Sequence, residues 1–340
     1  MNATPRITCF GELLLRFNTQ MGLRFVQSNA LNIHVAGAEA NVAVLLARLG
    51  LDSRMVSRVP DHDLAEMALG ELRKYGVNTS GVAKGGERLG TYYVENGNHL
   101  RPTQVIYDRS GSAYAQLKTG MIDWEKQFAE TTLFHWSGIA AALSGSAAEV
   151  CNEAIELAYK KGITISADFN YRRKLWNYGL EPKEVMPDLL RYCKVAVADL
   201  DSVAIYFGID TKEGLTYRAR FEHCFSLIKE KMPLLNTFAM SFRVVEGLNH
   251  VYFAGVAHEG EFYYSTIHAL PFVTDQIGTG DAFTAGLLYG LSSGFSPEKM
   301  IEWATACGVM KQSIHGDWAL INKEEIEAFI KSGISTKINR

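Results

Sequence analysis

The sequence predicts a doubly wound α/β domain carrying a second, smaller β-sheet. Three observations lead there. Short β-rich apolar runs alternate with longer helical patterns along most of the 340 residues, as parallel βαβ units require. One stretch, 88–111, breaks that rhythm with two β-rich runs and no helix between them. Hydrophobic residues make up 47% of the chain and charged residues 21%, enough to fill a large core and too apolar for disorder.

The elements follow in order. Residues 7–11 (ITCFG) open as a strand, and Ala38 to Leu49 reads as a helix stopped by Gly50. A strand from Asp52 to Val59 follows, then a helix from Leu64 to Tyr75 closed by Gly76. Strands are expected at 133–138, 163–169, 195–199 and 238–242, separated by helices at 147–161, 182–192 and 215–231. Such connections run right-handed and cover both faces of the sheet. From Asp281 onward the pattern is mainly helical. Asn96-Gly97 between the two runs of 88–111 is a hairpin signal, and 20–35 is a second non-helical stretch with strand-like pieces. These two segments are expected to pair outside the main sheet, as an insertion into one domain spanning 1–340. The resulting flap would be a lid, a contact between copies, or a plain decoration.

Composition excludes several functions. Thirty-four Lys and Arg against 37 Asp and Glu, with no basic block, argue against nucleic acid as a partner. Five scattered cysteines without a C-x-x-C pair suggest reduced, packed thiols of a cytoplasmic protein. No apolar run approaches the roughly 18 residues of a membrane helix, and Glu12 interrupts the only signal-like stretch. The histidines make no H-x-x-x-H pair and no G-x-S-x-G occurs, which disfavours metal and serine hydrolases. Ser144-Gly145-Ser146 reads as a helix cap.

Four places could carry chemistry. Gly278, Thr279 and Gly280 lead directly into a helix that begins near Asp281. Glycines let successive N–H groups turn outward, and a helix start adds free donors with partial positive charge, which together suit a phosphate. Asp281 at its mouth is either a general base for an attacking hydroxyl or simply a cap. Gly37 and Asn41 open an apolar helix, where the buried Asn amide needs a sugar hydroxyl or a neighbouring carbonyl as partner. Asp168, Asn170 and Arg172 follow the strand at 163–169, where α/β sheets bind ligands; a solvated basic turn is the plainer alternative. Tyr107 and Arg109 share one strand face, with Tyr92 in the facing run, as sugar-acid contacts or as cross-strand packing.

The order of these motifs resembles the ribokinase-like, PfkB-type carbohydrate kinases over nearly the whole chain. DQIGTGDAF is similar to the family's D-x-x-G-A-G-D-x-F, and AGAEANVA to its G-G-x-x-x-N-x-A. The resemblance implies a three-layer α/β/α sandwich with a β-sheet lid, often paired in homodimers or larger homo-oligomers. It implies ATP and Mg2+ as cofactors, Asp281 as catalytic base, and the 278–280 turn as anion hole. Tyr107-x-Arg109 with Asp168-x-Asn170-x-Arg172 looks most like the 2-keto-3-deoxygluconate kinases, so Gly37, Asn41, Tyr92, Tyr107, Arg109, Asp168, Asn170 and Arg172 would hold the sugar acid. Asp199, Ser241, Arg243, Gly278, Gly280 and Gly316 would serve the nucleotide; metal ligands are not assigned. Two departures stand out. The family's N-x-x-E falls at Asp199–Ser202, with Asp201 as a shifted substitute for the Glu, and its T-x-G appears as Ser241-Phe242-Arg243. A fructokinase-like kinase of a neutral ketohexose, or a sugar-acid binder without phosphotransfer, are the competing readings.

Overall fold

The computed structural model describes residues 4–97, 101–246 and 249–333. Its strands are β1 (Arg6–Phe10), β2 (Leu14–Asn18), β3 (Asn32–Ala36), β4 (Asp52–Val59), β5 (Asn78–Lys84), β6 (Gly90–Glu95), β7 (Gln104–Asp108), β8 (Thr131–Ser137), β9 (Thr164–Asp168), β10 (Val195–Ala198), β11 (Thr237–Glu246), β12 (Asn249–His258), β13 (Glu261–Tyr264) and β14 (His268–Ala269). The main sheet runs β13-β12-β11-β10-β9-β8-β1-β4-β5, with β14 also on β12. From β11 to β5 every pairing is parallel. The chain winds outward from β1 in one direction through β4 and in the other through β8, so the order reverses between β1 and β8.

Helices cover both faces, as the ribokinase-like sandwich requires. Alternation within β1 sends Ile7 and Cys9 into one apolar layer, shared with helices Ala38–Arg48, Thr279–Ser292 and Pro297–Lys311, while Phe10 enters the other. The second layer holds Gly145–Lys160, Pro182–Leu190 and Tyr217–Lys231.

The second sheet is four-stranded, in the order β3-β2-β6-β7. Within 20–35 only the β3 residues are extended; the rest includes a 3-10 turn at Phe25–Gln27. The strand that joins β3 to the expected hairpin is β2, upstream of that segment and parallel to β6. Part of the hairpin loop after Asn96-Gly97 lies outside the described residues. Register sorts the side chains into two rows. His34, Arg16, Tyr92 and Tyr107 align on the inner face; Ile33, Phe17, Tyr93 and Ile106 align on the outer face.

The antiparallel edge β12–β14 is an addition to the expected parallel sheet. Its local signal is Glu259-Gly260, both with positive φ (52° and 92°), a two-residue hairpin turn between β-rich runs.

Candidate active site

The carboxyl ends of β9, β10 and β11 open onto a cavity of about 570 Å³, walled on the opposite side by Leu14, Tyr92 and Tyr107 of the small sheet. That volume suits a small-molecule site. Asp281 stands in its wall, in the first turn of helix Thr279–Ser292.

The turn before that helix is fixed by packing. Gly278 has φ +83°, and a Cβ there would lie 2.0 Å from the Asp317 carbonyl oxygen. Only glycine fits. Thr279 donates its N–H and its hydroxyl to the Gln276 carbonyl, at 3.3 and 2.7 Å, so its amide is held inside the turn. The N–H groups of Gly280 and Asp281 belong to the helix's first turn and have no intrahelical acceptor. The donors this turn leaves for an anion are therefore those of Gly280 and Asp281, because Thr279 shapes the turn without lending its amide.

Asn41 donates from Nδ2 to Asp281 Oδ2 at 2.6 Å. The partner is neither a hydroxyl nor a carbonyl: the amide holds the carboxylate. Its Oδ1 is buried and has no partner among the described residues. A ligand hydroxyl would satisfy it. Burial pushes Asp281 up to about 6, while the Asn41 hydrogen bond and the Arg172 charge pull the other way. A carboxylate poised near neutrality is suited to accept a proton. Gly37 lets the helix approach, for a Cβ there would lie 2.3 Å from the Glu12 carbonyl oxygen.

Asp168, Asn170 and Arg172 meet at the cavity from the loop after β9. Asn170, at φ +39°, gives its N–H to Asp168 Oδ1 at 3.1 Å, and Thr284 donates to Oδ2 at 3.4 Å. Burial first, then the charges of Asp281 and Asp199, push Asp168 up to about 8. Such crowding of carboxylates suits a divalent cation. Among the described residues no three His, Cys, Asp or Glu form a metal cage; magnesium, which uses one or two carboxylates and substrate phosphates, needs none.

The cavity's arginines differ. Arg109 is buried and paired through Nε with Glu12 Oε2 at 2.5 Å; Ser112 donates to the other Glu12 oxygen. Its charge is thereby matched inside the protein. Arg172 is exposed, gives one hydrogen bond to the Tyr171 carbonyl at 3.0 Å, and has no carboxylate partner among the described residues. Tyr107 lies against Tyr92 with ring centroids 6.2 Å apart, whereas the Tyr92 hydroxyl is taken by Asp317.

On the other side stand Asp199, Ser241 and Arg243. Asp199 caps helix Leu200–Phe207, accepting from Ser202 N at 2.7 Å while Ser202 Oγ accepts from the Asp199 N–H at 3.1 Å. Ser202 therefore serves the cap, and Asp201 is exposed and off the cavity wall. Arg243 donates to Gln276 Oε1. Of the residues assigned to the sugar acid or the nucleotide, Gly316 alone is absent from the wall: its N–H donates to Asp275 Oδ2 at 3.2 Å, and His34 packs against its α-carbon.

Sequence reasoning missed the support beneath the turn. Arg16, wholly buried, bridges Asp275 at 2.8 Å and Asp317 at 3.0 Å. Asp275 in turn accepts from Ile277 N at 3.0 Å, and Lys311 Nζ donates to the carbonyls of Asp275 and Ile314 at 3.2 and 3.1 Å. A charged residue inside an apolar strand, as in LLRFN or GELLL, was the available sign.

The family model of the pfkB carbohydrate kinases matches residues 5–322. The chain belongs to that family. This carbohydrate kinase is accordingly a phosphotransferase whose acceptor is an alcohol group. It is 30% identical over 335 residues to the 2-dehydro-3-deoxygalactonokinase of Haloferax volcanii, covering 97% of this chain and 98% of that one. It is 27% identical to a protein of Arabidopsis thaliana named as a probable fructokinase, covering 97% and 83%. Among solved structures, the 2-dehydro-3-deoxygluconokinase of Thermotoga maritima superposes with a TM-score of 0.91 at 33% identity, covering 96% of this kinase and 99% of that chain. Among the described residues no helix is long and apolar enough to cross a membrane.

Proposed function

We propose that this kinase transfers the γ-phosphoryl group of ATP to the 6-hydroxyl of 2-keto-3-deoxygluconate or its galactonate epimer. The observation that carries the substrate class is Arg172, a guanidinium with no ion-pair partner among the described residues, on a cavity wall shared with Asn41 and Asp281. A sugar acid supplies an ion-pair partner for it, and two of the three similar proteins above are named for such acids while the third is named as a probable fructokinase.

In this reading Arg172 takes the carboxylate, while Asn41 Oδ1 and Asn170 orient hydroxyls. Asp281, steadied by Asn41, accepts the proton of the terminal hydroxyl as its oxygen bonds to the γ-phosphorus. The bond from that phosphorus to the β–γ bridging oxygen breaks, and ADP leaves with the electron pair. The Gly280 and Asp281 amides lie where charge builds on the transferring group. Magnesium, when bound, would neutralise phosphate charge, with Asp168 and Asp199 as the carboxylates available to it. Tyr92 and Tyr107 limit water from the side of the small sheet.

A neutral ketohexose is the second reading, favoured by the Glu12–Arg109 pair, which removes one of the two arginines from carboxylate binding. Coupled ADP release over 2-keto-3-deoxygluconate, 2-keto-3-deoxygalactonate and fructose separates the two. Preference for fructose sinks the first. Two copies are proposed to meet through the outer row of the small sheet, where Ile33 and Ile106 are more than half exposed and flank the stacked Phe17 and Tyr93. Ile106→Lys is expected to shift sedimentation toward the monomer; an unchanged profile dismisses that contact.

A further inference from the structure

Arg243 has a use that its bulk in place of a family glycine conceals. It shares a face of β11 with Ser241, and both line the cavity while the intervening Phe242 is buried in the core. Its guanidinium has one partner among the described residues, the neutral side-chain oxygen of Gln276. Gln276 is itself part of the turn: its carbonyl accepts twice from Thr279, and its Nε2 donates to Thr103 of the hairpin loop at 3.4 Å. One residue thus ties the arginine, the Gly280–Asp281 amides and the small sheet together. No carboxylate neutralises Arg243 among the described residues, and four of the five N–H donors of the fork are left over.

Position decides what those donors serve. Arg172 follows β9, whereas Arg243 is on β11, two strands away, or about 9–10 Å at the usual strand spacing. The helix bearing Asp281 starts at the same cavity. A sugar acid anchored at Arg172 and Asn41 places the transferred group at Asp281, and the rest of the phosphate chain extends toward β11. There, beside the Asp199 carboxylate available to magnesium, Arg243 is the cation that the protein itself offers.

Resting on the kinase reading above, we propose that Arg243 is a catalytic residue that hydrogen-bonds the phosphate chain of the nucleotide and the phosphoryl group in flight, held ready by Gln276. The fork binds phosphate oxygens in a geometry that a lysine matches only as a point charge.

The test compares wild type, Arg243→Gln, Arg243→Lys and Gln276→Ala by thermal melting with ATP, ADP or adenosine, and by steady-state kinetics. In wild type ATP and ADP should raise the melting temperature more than adenosine does. Arg243→Gln should melt like wild type without ligand, respond to adenosine unchanged and lose most of the extra response to ATP and ADP. Its kcat should fall about 100-fold, with KM for the sugar acid within about threefold of wild type. Arg243→Lys should recover part of the nucleotide response, and Gln276→Ala should fall between it and wild type. An Arg243→Gln enzyme with full ATP response and full turnover overturns the proposal. So does a rise in sugar-acid KM with nucleotide response intact, which would assign Arg243 to the sugar. A wild type that melts alike with and without ATP defeats the kinase reading itself, and this proposal with it.

Discussion

Replacing Arg172 by Gln removes from the sugar side a cation that has no ion-pair partner among the described residues, and keeps most of its volume. Two unit charges 4 Å apart interact by about 1 kcal/mol in water and about 4 kcal/mol at the effective dielectric of a protein surface. Arg172 is exposed, so the effect belongs in the lower half of that range, about 1.5–2.5 kcal/mol. At about 1.4 kcal/mol per decade, kcat/KM for 2-keto-3-deoxygluconate is expected to fall about 10- to 60-fold. For fructose, which has no carboxylate, the change stays within about threefold. Coupled initial rates on both substrates read the difference directly. Added salt should erode wild-type kcat/KM for the acid more than that of the variant. Arg109 provides the contrast. Arg109→Gln strands the buried Glu12 carboxylate, costs about 3–5 kcal/mol of stability, and slows both substrates alike. Equal losses on acid and neutral sugar in Arg172→Gln would refute the assignment of the carboxylate to this arginine.

Other outcomes follow from the turn and its carboxylate. Asp281 must be ionised to accept a proton, and burial raises it to about 6, so kcat/KM is expected to drop tenfold per unit as pH falls below that value. A flat profile down to pH 5 would contradict it. Gly278→Ala adds a methyl 2.0 Å from the Asp317 carbonyl oxygen at a left-handed backbone position, so urea unfolding should show a loss of at least about 2 kcal/mol, with turnover lost too. An unperturbed midpoint would show that the turn tolerates a side chain.

The parts of this kinase legible in its sequence are those governed by local rules. The alternation of strand and helix located β1, β4, β8, β9, β10 and β11 but not β5, whose polar residues carry little strand signal, and the glycine turn with Asp281 marked the site because its neighbours are sequence-adjacent. What escaped depends on distant partners. That Arg109 answers Glu12, 97 residues away, is invisible to a pattern search, and it gives the arginine's charge a partner inside the protein. Asn41 needed a partner, and the chain alone could not say that it would be a carboxylate 240 residues on. Arg16 was overlooked because an arginine in a β-strand usually points to solvent; here two aspartates from either end of the Asp275–Asp317 region surround it. The strand β2 hid behind β1, too close for a separate element to be expected, and its parallel pairing with β6 comes from a crossover through the main domain. Gly316 resembled a nucleotide contact by position along the chain, yet its amide turns to Asp275.

The account stands on proton acceptance by one side chain, and Asp281→Asn isolates it. The amide keeps the size of the carboxyl group and a hydrogen-bond acceptor for Asn41, and it cannot take a proton. Calorimetry with 2-keto-3-deoxygluconate should give a Kd within about threefold of wild type, while kcat at saturating substrates falls about 100- to 10,000-fold. Near-normal turnover in that variant would contradict the assignment of Asp281 as the base.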